Sequence, residues 1–248
     1  MASFPSPSPV TMLFATKESW IGRFVENRRV LDLGCACHRF GRSDLPSLHA
    51  FITRKASHTL GVDYLPEEIE KMRAEGFDVL CANVETMDLG QTFEVVVAGD
   101  IIEHLNNPGA FLERVREHLE PGGLLLVTTP NPITLERFLR VLLRGDAGGN
   151  KEHTCWFTAK VLRQLAGRHG FGVHQEAYVN DTRRYHRVYR PQSKRKGTFR
   201  WLARTLDYTV RGLLWFPLVA MQTLLAVVRH TSAETLCMAL IREDHAGE

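Results

Sequence analysis

Val30-Leu31-Asp32-Leu33-Gly34-Cys35, running into Ala36-Cys37-His38-Arg39-Phe40-Gly41, decides how the rest of the chain is read. Apolar residues around one acid, then a glycine, describe a buried parallel strand that stops at a tight turn. About thirty residues on, Thr59-Leu60-Gly61-Val62-Asp63 repeats the design, a short apolar strand with an acid at its carboxyl end. Two such strands joined by a helical stretch form a βαβ unit. In an open α/β sheet, ligands bind outside the carboxyl ends of the strands, where the strand order reverses. An acid in the place of Asp63 is suited to ribose hydroxyls, so the pair points to a nucleoside-containing ligand.

Outward from this unit the pattern continues. Residues 11–28 carry Leu13, Phe14, Trp20, Ile21, Phe24 and Val25 at helical spacing. Residues 44–57 predict the crossover helix, with Leu45, Leu48, Phe51 and Ile52 on one face. Pro66 opens a helix with Glu67 and Glu68 in its first turn. Strands are expected at Phe77–Ala82, Phe93–Ala98, Leu124–Thr129 and Phe171–Val179. Helices are expected after Asn107-Pro108, around Leu135–Leu142 and from Thr158, a natural cap, to His169. Residues 233–242 read as a final strand, the partner of 171–179. The prediction is a doubly wound, mostly parallel, seven-stranded α/β sheet with an antiparallel last strand.

The 248 residues suffice for one such domain with a sizeable core. Hydrophobic and charged contents of 44% and 24% are those of a soluble globular chain, and a formal charge of +3 does not argue for nucleic acid. Five cysteines without C-x-x-C spacing fit a reducing cytoplasm, with Cys35 and Cys81 expected as buried free thiols. Cys35 and Cys37 could alternatively form a redox or metal pair. The first ten residues, rich in serine and proline, lack a basic region and an apolar run, and read as a disordered lead rather than a signal peptide.

Taken together these stretches resemble the class I S-adenosylmethionine-dependent methyltransferases. The resemblance rests on Val30–Cys35, Gly61-Val62-Asp63, Asn83-Val84-Glu85, Phe93–Leu105, Pro121-Gly122-Gly123 and Thr128-Thr129-Pro130-Asn131, in that order. It covers about 28–180 and the last strand, so 11–180 plus 233–243 are expected to form the methyltransferase domain, with 181–232 as a helical insertion. It is closest to the small-molecule O-methyltransferase branch, including ubiquinone-pathway, glycan and natural-product enzymes. The resemblance implies that Asp32, Gly34 and Ala36 frame the methionine part of S-adenosyl-L-methionine. Asp63, followed by Tyr64, would take the ribose, Asn83 and Val84 the adenine, and Gly99 and Asp100 would lie beneath the sulfonium. The protein would supply alignment and, for a hydroxyl acceptor, a base.

One departure stands out. The family's glycine loop is G-x-G-x-G, whereas here Ala36 and His38 occupy the second and third glycine positions. The step from Gly34 to Asp63 is 29 residues, against about 20 in nucleotide-binding folds. A remodelled loop that still binds cofactor is expected, swinging wide to keep His38 out of the pocket or to aim it at the acceptor. A scaffold protein that binds the cofactor without turnover is the rival reading.

His104, in the segment Asp100-Ile101-Ile102-Glu103-His104, either acts as the base or braces the loop. With His153 it also resembles the acid-x-x-Glu-His plus distant histidine of metal-assisted O-methyltransferases, including ubiquinone-pathway and small-RNA 2′-O enzymes. On that reading Glu103, His104 and His153 would hold a divalent metal that acidifies the acceptor hydroxyl. The first acid is Asp rather than Glu, which shortens its reach. His153 alternatively only lines the pocket; Trp156 and Phe157 are expected in the core rather than stacked on substrate, and Asn131 either faces the acceptor or is a turn residue between two prolines.

The connection 181–232 is far longer than most. Over 181–211 it holds ten basic residues against Asp181 and Asp207, and the 17 residues 212–228 carry no charge. If the last strand rejoins the sheet, this stretch cannot cross a bilayer once. A basic amphipathic pattern with Trp201, Trp215 and Phe216 suggests an anionic membrane surface contacted through 183–230. A substrate lid or a homodimer interface are the alternatives. The expected acceptor is a small-molecule, glycan or lipid-linked hydroxyl, nucleic acid is disfavoured for want of a recognition motif, and the expected place is the cytoplasm, peripheral on the inner membrane face.

Overall fold

The computed structural model describes residues 4–5, 8–36, 47–146, 148, 150–180 and 233–243, with Pro217, Ala220, Met221 and Leu224. Expectations that fall on 37–46, including those for Cys37 and His38, lie outside the described residues. So do those for the basic and apolar stretches of 181–232, apart from these four positions.

The elements follow in the order β1 (Ser8–Phe14), α1 (Lys17–Val25), β2 (Arg29–Leu33), α2 (Leu48–Thr53), β3 (His58–Asp63), α3 (Pro66–Ala74), β4 (Val79–Cys81) and β5 (Phe93–Gly99). After a 3₁₀ turn at Ile102–His104 come α4 (Pro108–Glu117), β6 (Leu119–Pro130), α5 (Leu135–Arg144), α6 (Ala159–Arg168), β7 (Phe171–Val179) and β8 (Thr235–Arg242). All eight strands form one sheet in the order β1-β7-β8-β6-β5-β2-β3-β4. Every pairing is parallel except those of β8 with β6 and β7. The antiparallel last strand is therefore as expected.

The strand count is not. Ser8–Phe14 pairs in parallel with β7 and adds an eighth strand where a disordered lead and the start of a helix were expected. Leu13 and Phe14 belong to this strand, and the helix starts only at Lys17. Thr16 caps it reciprocally with Ser19, the Thr16 hydroxyl accepting from Ser19 N at 3.0 Å. Ahead of β1, Pro5 O accepts from His174 Nε2 at 2.7 Å and the Arg28 guanidinium lies 3.9 Å from the Phe4 ring centre. These residues are anchored to the sheet.

Both faces of the sheet are covered, and the strands show it residue by residue. Leu31, Leu33, Val96 and Ala98 point into one core with Phe111, Leu112, Val115 of α4 and Leu162, Ala166 of α6. Val30, Val95 and Val97 point into the other, with Trp20, Ile21, Phe24 of α1 and Ile52 of α2. Trp20 is fully buried and its Nε1 donates to Gln175 Oε1 at 3.1 Å. The helix caps fall where expected: Asn107 caps α4 through Ala110 N, and Thr158 caps α6 through Val161 N. Cys35 is a buried free thiol, but Cys81 is exposed, because β4 is the outer strand of the sheet and one of its faces is open. Among the described residues no helix is long and apolar enough to cross a membrane.

Candidate active site

The strand order reverses between β2 and β5, so the carboxyl ends of those strands flank a crevice. Gly34 turns there with φ +73°, and a Cβ on it would lie 3.0 Å from Ile101 Cδ1. Glycine is thus favoured for the left-handed backbone, and its missing side chain leaves room for Ile101 beyond the β5 exit. On the next strand Asp63 is buried. Its Oδ2 accepts from Ala36 N at 3.0 Å and its Oδ1 from Leu65 N at 3.1 Å. A carboxylate accepts up to about four hydrogen bonds, so these backbone donors and ribose hydroxyls are compatible. Tyr64 beside it is exposed. At the exit of β4, Asn83 is exposed and its Oδ1 accepts from Glu85 N at 2.9 Å, while Val84 is buried. Asp32 is buried, and burial pushes its carboxyl above the usual carboxylate range.

The β5 exit holds the second half of the site. Asp100 has φ +54°, a strained conformation for a residue with a side chain. Its amide donates to Thr128 O at 2.9 Å, and the Thr128 hydroxyl donates to Asp100 Oδ1 at 2.9 Å. Lys17, at the start of α1, pairs with the other carboxylate oxygen. Neither Lys17 nor Thr128 carried a role in the sequence-based reading. The signal for Lys17 was its place directly after a capping threonine, at the mouth of the crevice once α1 is folded over the sheet.

Glu103 is fully buried in the next turn. Its Oε2 accepts from the Thr129 hydroxyl at 2.9 Å, and its Oε1 is buried with no hydrogen-bond partner. Burial, and then the charge of Asp100, push its carboxyl up to about 7. Thr154 N donates to Glu103 O at 2.8 Å, and the Thr154 hydroxyl donates to Leu105 O at 2.7 Å. These bonds lay the linker before α6 against the turn and bring His153 to His104, with ring centres 4.7 Å apart. Burial, then the neighbouring His104 and Arg137, push the His153 imidazole below its ordinary range, and its Nδ1 is buried with no hydrogen-bond partner. Ligand atoms of Glu103, His104 and His153 all lie within 4.8 Å of one another. A mixed carboxylate and imidazole set, with a buried unpartnered polar atom on both Glu103 and His153, fits a divalent ion.

Behind His153 stands Trp156, with ring centres 5.3 Å apart, and the Arg137 guanidinium lies 4.2 Å from the Trp156 ring centre. Phe157 is in the core as expected, whereas Trp156 is only partly buried. Asn131 is a buried brace: its Nδ2 donates to Ala233 O at 2.6 Å and ties β6 to the start of β8. His49 was absent from the sequence-based site, yet its Nδ1 lies 2.9 Å from Asp32 Oδ2.

Comparison with known proteins bears on the family and the fold. A family model described as a methyltransferase domain matches residues 12–176. A ubiquinone biosynthesis O-methyltransferase from Nitrobacter winogradskyi is 29% identical over 170 residues, covering 61% of this chain and 59% of the relative. One from a Bradyrhizobium species is 34% identical over 113 residues, covering 42% and 40%. The chain thus spans about half the length of these relatives. Among solved structures, a SAM-dependent methyltransferase from Archaeoglobus fulgidus shares the fold with a TM-score of 0.56 at 13% identity, over 91% of this chain and 90% of that one. The two-sided sheet, the Gly34 crevice at its switch point and the match over 12–176 together show that the chain belongs to the methyltransferase-domain family of class I S-adenosylmethionine-dependent methyltransferases.

Proposed function

We propose that the protein transfers the methyl group of S-adenosylmethionine to a hydroxyl of a small-molecule acceptor. The observation that carries this reading is the Glu103–His104–His153 cluster at the exit of β5, in which Glu103 and His153 each also hold a buried polar atom without a hydrogen-bond partner. A divalent ion bound there would lower the pKa of an acceptor hydroxyl and orient it. The chain's own residues do the rest. Gly34, Ala36, Gly99 and Asp100 line the methionine end, with Asp32 two residues before Gly34 in β2. Asp63 takes the ribose hydroxyls, with Tyr64 at its open side, and Asn83 with the Val84 backbone borders the adenine. Lys17 and Thr128 hold Asp100 in its left-handed turn, which sets where the methyl group is presented. If no metal is held there, His104 or His153 is placed to accept the hydroxyl proton, and alignment of donor and acceptor supplies most of the rate.

The test is calorimetric titration with S-adenosylmethionine and S-adenosylhomocysteine, followed by transfer of labelled methyl to a panel of catechols and phenols with and without chelator. Absence of binding to both nucleosides refutes the cofactor assignment. Binding without transfer to any hydroxyl favours the scaffold reading. Undiminished transfer in chelator, and in His104→Ala and His153→Ala, removes the metal.

A second element concerns where the acceptor is met. Helix α5 turns Arg137 inward to Trp156 and leaves Phe138, Val141, Leu142 and Leu143 between 50% and 78% exposed. An apolar helix face beside a site is suited to an anionic lipid surface, and the basic residues of 183–211 supply the matching charge. On this reading the protein works at a membrane that carries a lipid-linked acceptor. Flotation with vesicles containing phosphatidylglycerol is expected for the wild type and lost in Phe138→Glu/Leu142→Glu. No flotation with a dimer in sedimentation assigns the face to a second copy. No flotation with a monomer assigns it to the chain's own apolar stretch 212–228.

A further inference from the structure

The reading of the β2–β3 crevice as the cofactor site leaves His49 unexplained, and the role assigned to His49 below rests on that reading. His49 is 1% exposed, in the first turn of α2, and its Nδ1 meets Asp32 Oδ2 at 2.9 Å. The Phe77 ring stands edge-on to it with centres 5.1 Å apart. Its Nε2 is buried with no hydrogen-bond partner. A leucine or phenylalanine would fill the same space without burying an unpaired nitrogen, so packing alone does not account for a histidine here.

Strand register shows how much is arranged around it. Asp32 pairs with Gly61 on β3. A Cβ on Gly61 would lie 2.7 Å from His49 Cε1, 2.8 Å from Cys35 Sγ and 2.9 Å from Val79 Cγ1. Gly61 has an ordinary backbone, so its missing side chain is needed for room, and the atom closest to that room is in the His49 ring. Leu48, the preceding residue, reaches across to Gly99, where a Cβ would lie 2.9 Å from Leu48 Cδ2. The first turn of α2 therefore touches β2, β3 and β5 at the crevice floor.

This turn and Ala36 are the two stems of the segment 37–46. Where the family resemblance expects glycines at 36 and 38, this chain has Ala36 and His38. Each stem is instead held by an acid from the sheet: Ala36 N donates to Asp63, and His49 Nδ1 is hydrogen-bonded to Asp32. We propose that His49 is a positioning residue for cofactor binding, joining the α2 stem to Asp32 so that the crevice keeps its width without the family's glycines. The histidine also bonds an acid that feels the charge of Asp63 on the adjacent strand. It offsets part of the burial and Asp63 repulsion that raise the Asp32 carboxyl.

The experiment compares His49→Ala, His49→Leu and His49→Asn in the full chain with wild type, reading melting temperature, the Kd for S-adenosylhomocysteine, and kcat and KM for the methyl donor. Asparagine keeps a donor close to the Nδ1 position, whereas alanine and leucine keep none. Loss of one buried bond to a charged group is expected to weaken binding about 10- to 100-fold in the Ala and Leu variants. KM should rise by more than kcat falls, and Asn should recover most of the affinity. Leucine fills the space, so it carries the comparison if the Ala variant does not fold. Wild-type affinity in a folded Ala or Leu variant overturns the proposal. So does failure of Asn to rescue while melting temperature, Kd and kcat decline together, the mark of a structural role. If wild type itself binds neither nucleoside, the cofactor reading has failed and His49 is a core residue.

Discussion

Glu103 gives the sharpest test of the site's electrostatics. Its carboxyl is pushed from an ordinary 4.5 up to about 7, first by burial and then by the charge of Asp100, with Thr129 and Lys17 acting in the opposite sense. The folded value lies above the unfolded one, so the folded state binds more protons between them. Stability of the metal-free protein should therefore fall as pH rises from about 4.5 to about 7, with nothing further lost above that. A displacement of this size corresponds to about 3 kcal/mol. For a chain of this length that is a melting shift of about 6–12 °C. Glu103→Gln keeps the shape and a partner for Thr129 but carries no charge. In chelator, it should melt above wild type at pH 8, with the gap closing as the pH is lowered toward 5. Adding a divalent ion at pH 8 should raise the wild type and leave the variant in place, while methyl transfer by the variant collapses. Differential scanning calorimetry between pH 5 and 8 decides it. Parallel melting profiles for the two proteins would refute the buried-charge reasoning, and with it the argument that the unpartnered oxygen is kept for a cation.

Three further outcomes are expected from particular contacts. Trp20→Phe removes the indole donor to Gln175 in the core and should cost about 1–2 kcal/mol, seen as a lower midpoint in urea. Lys17→Ala frees the Asp100 turn at a partly exposed pair, and should raise KM for the methyl donor about 3- to 10-fold with little change in melting temperature. Thr158→Ala removes the cap of α6 and should cost about 1 kcal/mol, a drop of about 2–4 °C, with kcat unaltered.

Much of the fold was legible because its signals are local. An apolar run ending in Gly34, proline at the start of α3, and caps at Asn107 and Thr158 each act within one turn or strand, and the structure has them in place. The first strand was not legible, because Leu13 and Phe14 continue the helical spacing of Trp20, Ile21 and Phe24, and only pairing with β7 separates them. Cys81 was misjudged for a related reason: a short strand's burial depends on whether it lies inside the sheet or at its edge, which pattern alone does not set.

By itself the sequence determined the order of strand, turn and acid that builds a nucleoside crevice, and named Gly34, Asp63, Asp100 and Glu103-His104 as its candidates. Those assignments need only residue type and position along one strand or turn. Tertiary structure decided which of them meet. His104 and His153 are distant in sequence and face each other because Thr154 hydrogen-bonds the Glu103 turn. Lys17 reaches Asp100 only because α1 packs on the sheet face with its first residue at the exit of β5, and His49 reaches Asp32 only because Gly61 on the adjacent strand leaves room for its ring. Burial then separates the acids in character, since the same carboxyl group that ionises freely in an open chain is held toward its neutral form inside the sheet.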